Sequence, residues 1–145
     1  MRRVALDTSV VVAALVAVHD RHAAARRFVE DALRDGAGVI LPVPVLFEAY
    51  SVMTRMPPPW RLSAQVAEHV LREAFAEFAT VVALPSGDRT WSIMRDLARA
   101  GLAGGIAHDA HVAACALRAG ATELATLNRR DFARLDLGGM TLIVP

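Results

Sequence analysis

The chain has 145 residues, a formal net charge of +1 and 54% hydrophobic residues, which together are typical of one folded domain and exclude a disordered chain. The near-neutral balance also excludes a strongly basic surface for nucleic acids. All 16 basic residues are Arg, a side chain that suits contacts with phosphate, so any such contact depends on where single Arg residues lie.

Short apolar runs alternate with helical patterns along the whole chain. In chain order, the pattern predicts a strand at 4–6, a helix from about Thr8, a helix with Asp20 as its N-cap that ends at Gly36, a strand at 39–41, a helix at 44–55, a helix from the N-cap Ser63 to Phe78, a strand at 80–84, a helix at 88–100 ended by Gly101, a helix at 107–119 ended by Gly120, and strands at 123–126 and 141–144. Strands separated by helices are typical of a three-layer α/β fold, in which helices cover both faces of a central parallel sheet. We therefore predict a single domain, residues 1–145, with a sheet of four to five strands.

The N-terminus resembles a secretory signal, because Arg2 and Arg3 precede an apolar run. Asp7 interrupts that run, however, and no convincing cleavage site follows it. No other apolar stretch reaches the roughly 20 residues that span a bilayer. The single Cys115 excludes a disulfide within the chain. These features predict a soluble, cytoplasmic protein without a membrane partner.

Three acidic residues lie where apolar residues are expected. Asp7 follows the first strand, Glu48 interrupts the apolar stripe of its helix, and Asp109 shares a helix face with small apolar residues. Each has a local explanation: Asp7 as a helix cap, Glu48 as a partner of Arg55 or Arg61, and Asp109 as a charge at the positive end of its helix. One divalent cation explains all three at once, and oxygen ligands favour Mg²⁺ or Mn²⁺.

The positions of these acids along the strands predict one shared site. In parallel sheets, ligands bind beyond the carboxyl ends of the strands. Asp7 follows the first strand directly, and Thr126 and Asn128 lie at the end of the fourth. His108 is adjacent to Asp109 and is expected at the mouth of the site. A phosphohydrolase of the HD type is disfavoured, because His19, His22 and His69 fall where helix surfaces are predicted.

Four motifs in order resemble one known family. They are "LDTSVVVAAL" with Asp7, "PVPVLFEAYSVMTRMP" with Glu48, "GGIAHDAHVAACALRAGA" with Asp109, and the closing "LATLNRRDF". Together they are similar to the PIN-domain ribonucleases, specifically the VapC toxins of bacterial VapBC toxin-antitoxin modules. The resemblance spans nearly the whole chain and implies a single PIN domain.

The resemblance implies an endoribonuclease that depends on Mg²⁺ or Mn²⁺, with Asp7, Glu48 and Asp109 as catalytic metal ligands. It implies substrate-binding positions at Thr8 and Thr126, a homodimer, and a VapB-type antitoxin that covers the active site. Many relatives carry an acid where this chain has Asn128. Either Asn128 is a neutral ligand or Asp131 supplies the fourth carboxylate.

Other residues near these motifs have two readings each. Arg129 and Arg130 either contact the RNA backbone or are simply exposed, and Trp60 either stacks on a base or packs in its loop. A PIN fold that binds RNA or a partner without cutting it is the alternative function, since a fold alone does not decide activity. Several apolar residues exceed what one small core requires, and some of them are predicted to lie under a second copy or an antitoxin: Leu15, Val16, Phe28, Val52, Met53 and Met56.

Overall fold

The computed structural model covers all 145 residues and contains five strands and seven helices. In chain order these are β1 (Arg3–Leu6), α1 (Thr8–Leu15), α2 (His22–Arg34), β2 (Gly38–Pro42), α3 (Val43–Thr54), α4 (Ala64–Phe75), β3 (Ala79–Val82), α5 (Gly87–Arg99), α6 (Ile106–Arg118), β4 (Glu123–Ala125), α7 (Arg129–Phe132) and β5 (Thr141–Ile143). All five predicted strands are present, so the predicted α/β class is confirmed.

The strands form one sheet in the order β3-β2-β1-β4-β5, and every neighbouring pair is parallel. The central strand β1 is buried from Val4 to Leu6. With the right-handed crossovers that parallel strands follow almost without exception, this strand order places α1 to α4 on one face and α5 to α7 on the other, which gives the expected three layers. The helices contact one another within each group, and α3 also contacts α6. Because Glu48 lies on α3 and Asp109 on α6, the fold brings together acids from the two helical layers.

Helix boundaries differ from the predictions at three places. Asp20 is not an N-cap, because α2 begins at His22 and Arg21 occupies the cap position without a side-chain bond. The helix capped by Ser63 ends at Phe75 instead of Phe78. The short helix α7 was not predicted, since four residues are too few to show a helical period.

Two of the six apolar residues, of which some were predicted to lie under a partner, are buried in the core. Val16 and Met53 are buried, and Leu15, Phe28, Val52 and Met56 are partly buried against the same core. Val16 and Met53 are thus not available to a partner, because a sheet covered on both faces needs more apolar side chains than one small core. For the four partly buried residues, coverage by a partner stays a prediction. Large exposed apolar side chains lie elsewhere, among them Phe47 on α3 and Trp91 and Met94 on α5, of which Phe47 is 73% exposed and Trp91 66%. None of the helices combines the length and apolar character that crossing a bilayer requires.

Candidate active site

A cavity of about 440 Å³ opens at the carboxyl ends of β1 and β4, and we call it the acid cavity. Its polar lining comes from Asp7 after β1, Glu48 on α3, Asp109 on α6, and Asn128 and Asp131 after β4. The remaining polar side chains that line it are those of Thr8, Ser9, His19 and His108. The structure thus gathers every acid proposed from the sequence into one place.

Asp7 is almost fully buried, with 6% of its surface exposed. It occupies the N-cap position of α1, but its side chain makes no cap hydrogen bond. Instead Asp7 Oδ2 accepts hydrogen bonds from Ser9 Oγ and Thr126 Oγ1, both at 2.8 Å. Burial raises the pKa of Asp7, those hydrogen bonds oppose the rise, and the charge of Glu48 adds to it. Helix capping therefore does not account for this carboxylate.

Thr126 is fully buried and does not line the acid cavity. Its hydroxyl donates to Asp7 and accepts a hydrogen bond from the backbone N–H of Asn128 at 2.8 Å. Ser9 makes the matching connection, since its hydroxyl donates to Asp7 and accepts from the backbone N–H of Leu127 at 2.9 Å. The two hydroxyls tie the segment after β4 to Asp7, so Thr126 touches a candidate ligand and has no open path to substrate.

Glu48 is exposed to the cavity and accepts a hydrogen bond from Thr8 Oγ1 at 3.1 Å. Neither Arg55 nor Arg61 pairs with it: Arg55 Nε donates to Ser51 Oγ, and Arg61 Nε donates to the Met56 carbonyl. The ion-pair explanation suggested by the sequence is therefore excluded for Glu48. Thr8, which also lines the cavity, holds the carboxylate in place.

Asp109 has the clearest electrostatic signature of the group. Burial first, and then the charges of Asp7, Asp131 and Glu48, raise its pKa from 3.8 to about 6, while His108 lowers it. Like charges that share a site of reduced dielectric disfavour ionisation in this way. The pKa of Asp109 is therefore raised by all three other carboxylates of the cavity, which indicates a central position among them.

Asn128 and Asp131 both line the cavity and bond to each other, with Asn128 Nδ2 donating to Asp131 Oδ2 at 2.8 Å. The amide oxygen of Asn128 and the second oxygen of Asp131 remain as acceptors. The exposed Arg129 and Arg130 follow on α7 and are not part of the lining. Trp60 is half exposed in its loop and lies outside the cavity as well.

None of the four cavity carboxylates forms an ion pair, since all the salt bridges of the molecule lie elsewhere. Unpaired carboxylates facing one another are costly without a cation, and their oxygen atoms are the ligands that Mg²⁺ and Mn²⁺ prefer. As the side chains stand, no three of them form a group that could hold a metal ion. The residues nevertheless fit such a cation by the chemistry of their oxygen atoms and by the cavity that they share.

Sequence reasoning missed two residues of the cavity, Ser9 and His19. Ser9 follows Asp7 by two positions, but only the approach of β4 shows that its hydroxyl bonds both Asp7 and the backbone of Leu127. His19 was expected on a helix surface, whereas it lies in the turn between α1 and α2 and lines the cavity. No periodic signal marks either residue, because His19 lies in an irregular turn and the contact of Ser9 with Leu127 depends on long-range strand pairing.

Comparisons with known proteins agree with this geometry. Residues 4–137 match the PIN domain family model. Ribonuclease VapC27 from Mycobacterium tuberculosis is 39% identical over 140 residues, which are 97% of this chain and 95% of the relative.

Two solved structures share the fold at low sequence identity. VapBC2 from Rickettsia felis, bound to a DNA fragment from its promoter, has a TM-score of 0.70 at 17% identity and covers 97% of each chain. VapC20 of Mycobacterium tuberculosis, described as a toxin that cleaves the sarcin-ricin loop, has a TM-score of 0.69 at 19% identity, covering 90% of this chain and 93% of its own. With a family model that spans most of the chain and a relative of this identity, the protein belongs to the PIN-domain family, within its VapC group.

Proposed function

We propose that the protein is a metal-dependent endoribonuclease and the toxin of a toxin-antitoxin module. The observation that carries the proposal is the acid cavity, in which four carboxylates from separate parts of the fold meet and none forms an ion pair. Such an arrangement is too costly to serve the fold alone. The membership of the VapC group supports the same function.

The residues that would hold Mg²⁺ or Mn²⁺ are Asp7, Glu48 and Asp109, completed by Asp131 or Asn128. When bound, the cation offsets the charge of the RNA phosphodiester and makes water a better nucleophile. Asp7 is the most firmly held of these groups, because two hydroxyls and its burial leave it one orientation. The Thr8 hydroxyl fixes Glu48 in the same manner.

The carboxylate oxygens that remain free in the cavity can accept hydrogen bonds from an attacking water and orient it. Asp131 has one such oxygen, since Asn128 occupies the other. Outside the cavity, Arg129 and Arg130 begin α7 next to Asn128 and are exposed. We assign them to the backbone of the RNA on either side of the bond that is cut, because Arg suits phosphate.

The names of the related proteins support RNA as the substrate and an antitoxin as the partner. VapC27 is named a ribonuclease, VapC20 is described as cleaving the sarcin-ricin loop, and the Rickettsia felis structure is a VapBC complex. By extension this chain cleaves RNA, forms a homodimer and is held inactive by a VapB-type antitoxin in the cytoplasm. The exposed apolar residues Phe47, Trp91 and Met94 offer surface for such partners.

The experiment is incubation of purified, antitoxin-free protein with total RNA, in Mg²⁺ or Mn²⁺ and in excess chelator. We expect cleavage only with the metal, and products with 5′-phosphate and 3′-hydroxyl ends, as the family resemblance implies. Cleavage that persists in chelator, or products with cyclic phosphates, would contradict the proposal. RNA binding without any cleavage would favour the alternative of a PIN fold that binds without cutting.

A further inference from the structure

His19 is the one imidazole that reaches the acid cavity from outside the predicted motifs. It lies 12 residues after Asp7, in the turn between α1 and α2, is partly buried, and lines the cavity together with the carboxylates. Its position depends on the path of the chain after α1, where Val16 ends the helix and the backbone N–H of His19 bonds the Val16 carbonyl at 3.0 Å.

The turn fixes the ring of His19. Its Nδ1 accepts a hydrogen bond from the backbone N–H of Arg21 at 3.0 Å, and the His19 carbonyl accepts one from the backbone N–H of His22 at 3.0 Å. A nitrogen that accepts a hydrogen bond carries no proton, so the neutral ring has its proton on Nε2. No protein group bonds Nε2, which leaves one N–H donor free on a ring that cannot turn away without losing the bond to Arg21.

Free donors are scarce in the acid cavity. The carboxylates are acceptors when ionised, and the hydroxyls of Thr8 and Ser9 already donate to Glu48 and Asp7. The amide of Asn128 donates to Asp131. Among the side chains of the lining, this leaves His19, the exposed His108 and the second amide hydrogen of Asn128 as the groups able to donate to an anion. An RNA phosphate that enters a cavity of acceptors requires such a donor.

We propose that His19 contacts the substrate directly, with Nε2–H donating a hydrogen bond to a phosphate oxygen of RNA in the acid cavity. The inference rests on the proposed function of that cavity. A different role for His19 is to hold its turn through Nδ1 alone. The two roles use different nitrogens of the ring, so two amide substitutions separate them.

The test compares His19→Gln with His19→Asn. The amide of Gln reaches the position of Nε2 and can donate there, but it leaves the N–H of Arg21 without an acceptor. The amide oxygen of Asn lies near the position of Nδ1 and can accept from Arg21, but nothing donates from the position of Nε2. His69→Asn on α4 is the matched control, because His69 is exposed and lies outside the cavity.

Two measurements are made on each variant. The first is kcat/KM for an RNA that the parent cuts, and the second is the Kd of a short fluorescein-labelled RNA, measured with Mg²⁺ in an Asp109→Asn background that does not cut. We expect His19→Asn to lower kcat/KM and weaken RNA binding by about 10- to 100-fold, the range for a hydrogen bond to a charged group. His19→Gln should keep most of the kcat/KM and most of the RNA affinity. Thermal melts should show that the His19→Asn protein is at least as stable as the His19→Gln protein.

Two results would overturn the proposal: RNA binding by His19→Asn that equals that of the parent, or a loss of RNA binding in His19→Gln as large as in His19→Asn. Either result would assign His19 only the role of stabilising its turn through Nδ1. The outcome is separate from the fate of the proposed function. If the parent binds RNA but never cuts it, the ribonuclease proposal fails, and the order of the two variants in the binding measurement still decides the role of His19.

Discussion

Thr126 donates its hydroxyl hydrogen to Asp7 Oδ2 at 2.8 Å across 119 positions of the chain. The two residues meet because β1 and β4 are parallel neighbours, so both strands end at the same edge of the sheet. Thr126 is fully buried, which means that its hydroxyl acts on the reaction only through Asp7 and the backbone of Asn128. It is a positioning residue for the candidate site.

The first prediction follows from that bond. Replacing Thr126 with Val keeps the shape of the side chain but leaves Asp7 with Ser9 as its one hydroxyl donor and the N–H of Asn128 without an acceptor, which should destabilise the fold by about 1–3 kcal/mol. The cleavage rate should fall at least about tenfold, a loss equivalent to 1.4 kcal/mol. Replacing it with Ser keeps the hydroxyl and loses one buried methyl, at a cost of about 1 kcal/mol. Urea melts and cleavage assays check both, and equal activity in the two variants would refute the assignment.

The second prediction concerns pH. The pKa of Asp109 is about 6 in the folded protein against 3.8 as its ordinary value, so the folded state binds this proton more tightly than the unfolded state. In chelator, this carboxyl should lower the free energy of unfolding as the pH rises from about 4 to 6, by well under ~3 kcal/mol because solvent screens a carboxyl that is only partly buried. Asp109→Asn removes the effect, so the parent should lose stability relative to the variant across that window. Urea melts at several pH values measure the difference, and a constant difference would contradict the prediction.

The third prediction separates function from structure at the same residue. Asp109→Asn should abolish cleavage and leave the metal-free protein at least as stable as the parent, because one of four facing charges is gone. Added Mg²⁺ or Mn²⁺ should stabilise the parent by about 2.7 kcal/mol at a hundredfold excess over its Kd, and the variant by much less. Asp88→Asn, an exposed acid on α5, is the control and should behave as the parent. A variant that melts well below the parent in chelator and still cuts RNA would assign Asp109 to the fold.

The fourth prediction decides which residue completes the metal site. Asn128 and Asp131 bond each other, so each change affects the other side chain. In the proposed site, part of the metal affinity comes from a fourth ligand in addition to Asp7, Glu48 and Asp109. We expect Asp131→Asn to remove most of this part, because it removes a negative charge. Asn128→Ala should remove only part of it, because Asp131 keeps its carboxyl group and loses only the hydrogen bond from Asn128. Calorimetric Kd values for Mn²⁺ provide the comparison, and a larger loss in Asn128→Ala would make Asn128 the ligand.

The fifth prediction concerns the dimer. Helix α5 has no buried residue and exposes Trp91 and Met94, so we expect a second copy to cover this face. Light scattering should show a dimer at micromolar concentration, and Glu at both positions should give a monomer. Phe47→Glu on α3 is the matched change on the other exposed apolar face and should keep the dimer. The reverse result would move the interface to α3, and a monomeric parent would exclude the dimer.

The sequence predicted those residues of the site that are charged but have apolar neighbours along the chain. Asp7 and Asp109 stood out because carboxylates are costly in apolar surroundings, and both prove to be buried or partly buried. Glu48 was found by the same argument, although its own side chain is exposed toward the cavity. The strand order and the pairing of β1 with β4 were not predictable, because they depend on contacts between distant segments.

The errors share a physical cause with the omissions. Asp20 resembles an N-cap in sequence, but α2 begins without a side-chain cap. Just before the helix, the imidazole of His19 accepts a hydrogen bond from the backbone N–H of Arg21. The same contact places His19 at the acid cavity. One turn therefore accounts both for the helix boundary predicted wrongly and for the cavity residue missed.

The parallel pairing of β1 with β4 also sets the moment at which the site can form during synthesis. Asp7 emerges from the ribosome early, but the hydroxyl of Thr126 that holds it follows 119 positions later. At typical rates of about 5–20 residues per second, that interval is on the order of ten seconds. During this time β1 lacks its neighbour β4, and Asp7 lacks the hydrogen bond from Thr126. The nascent chain therefore has no complete site until nearly all of it has been translated.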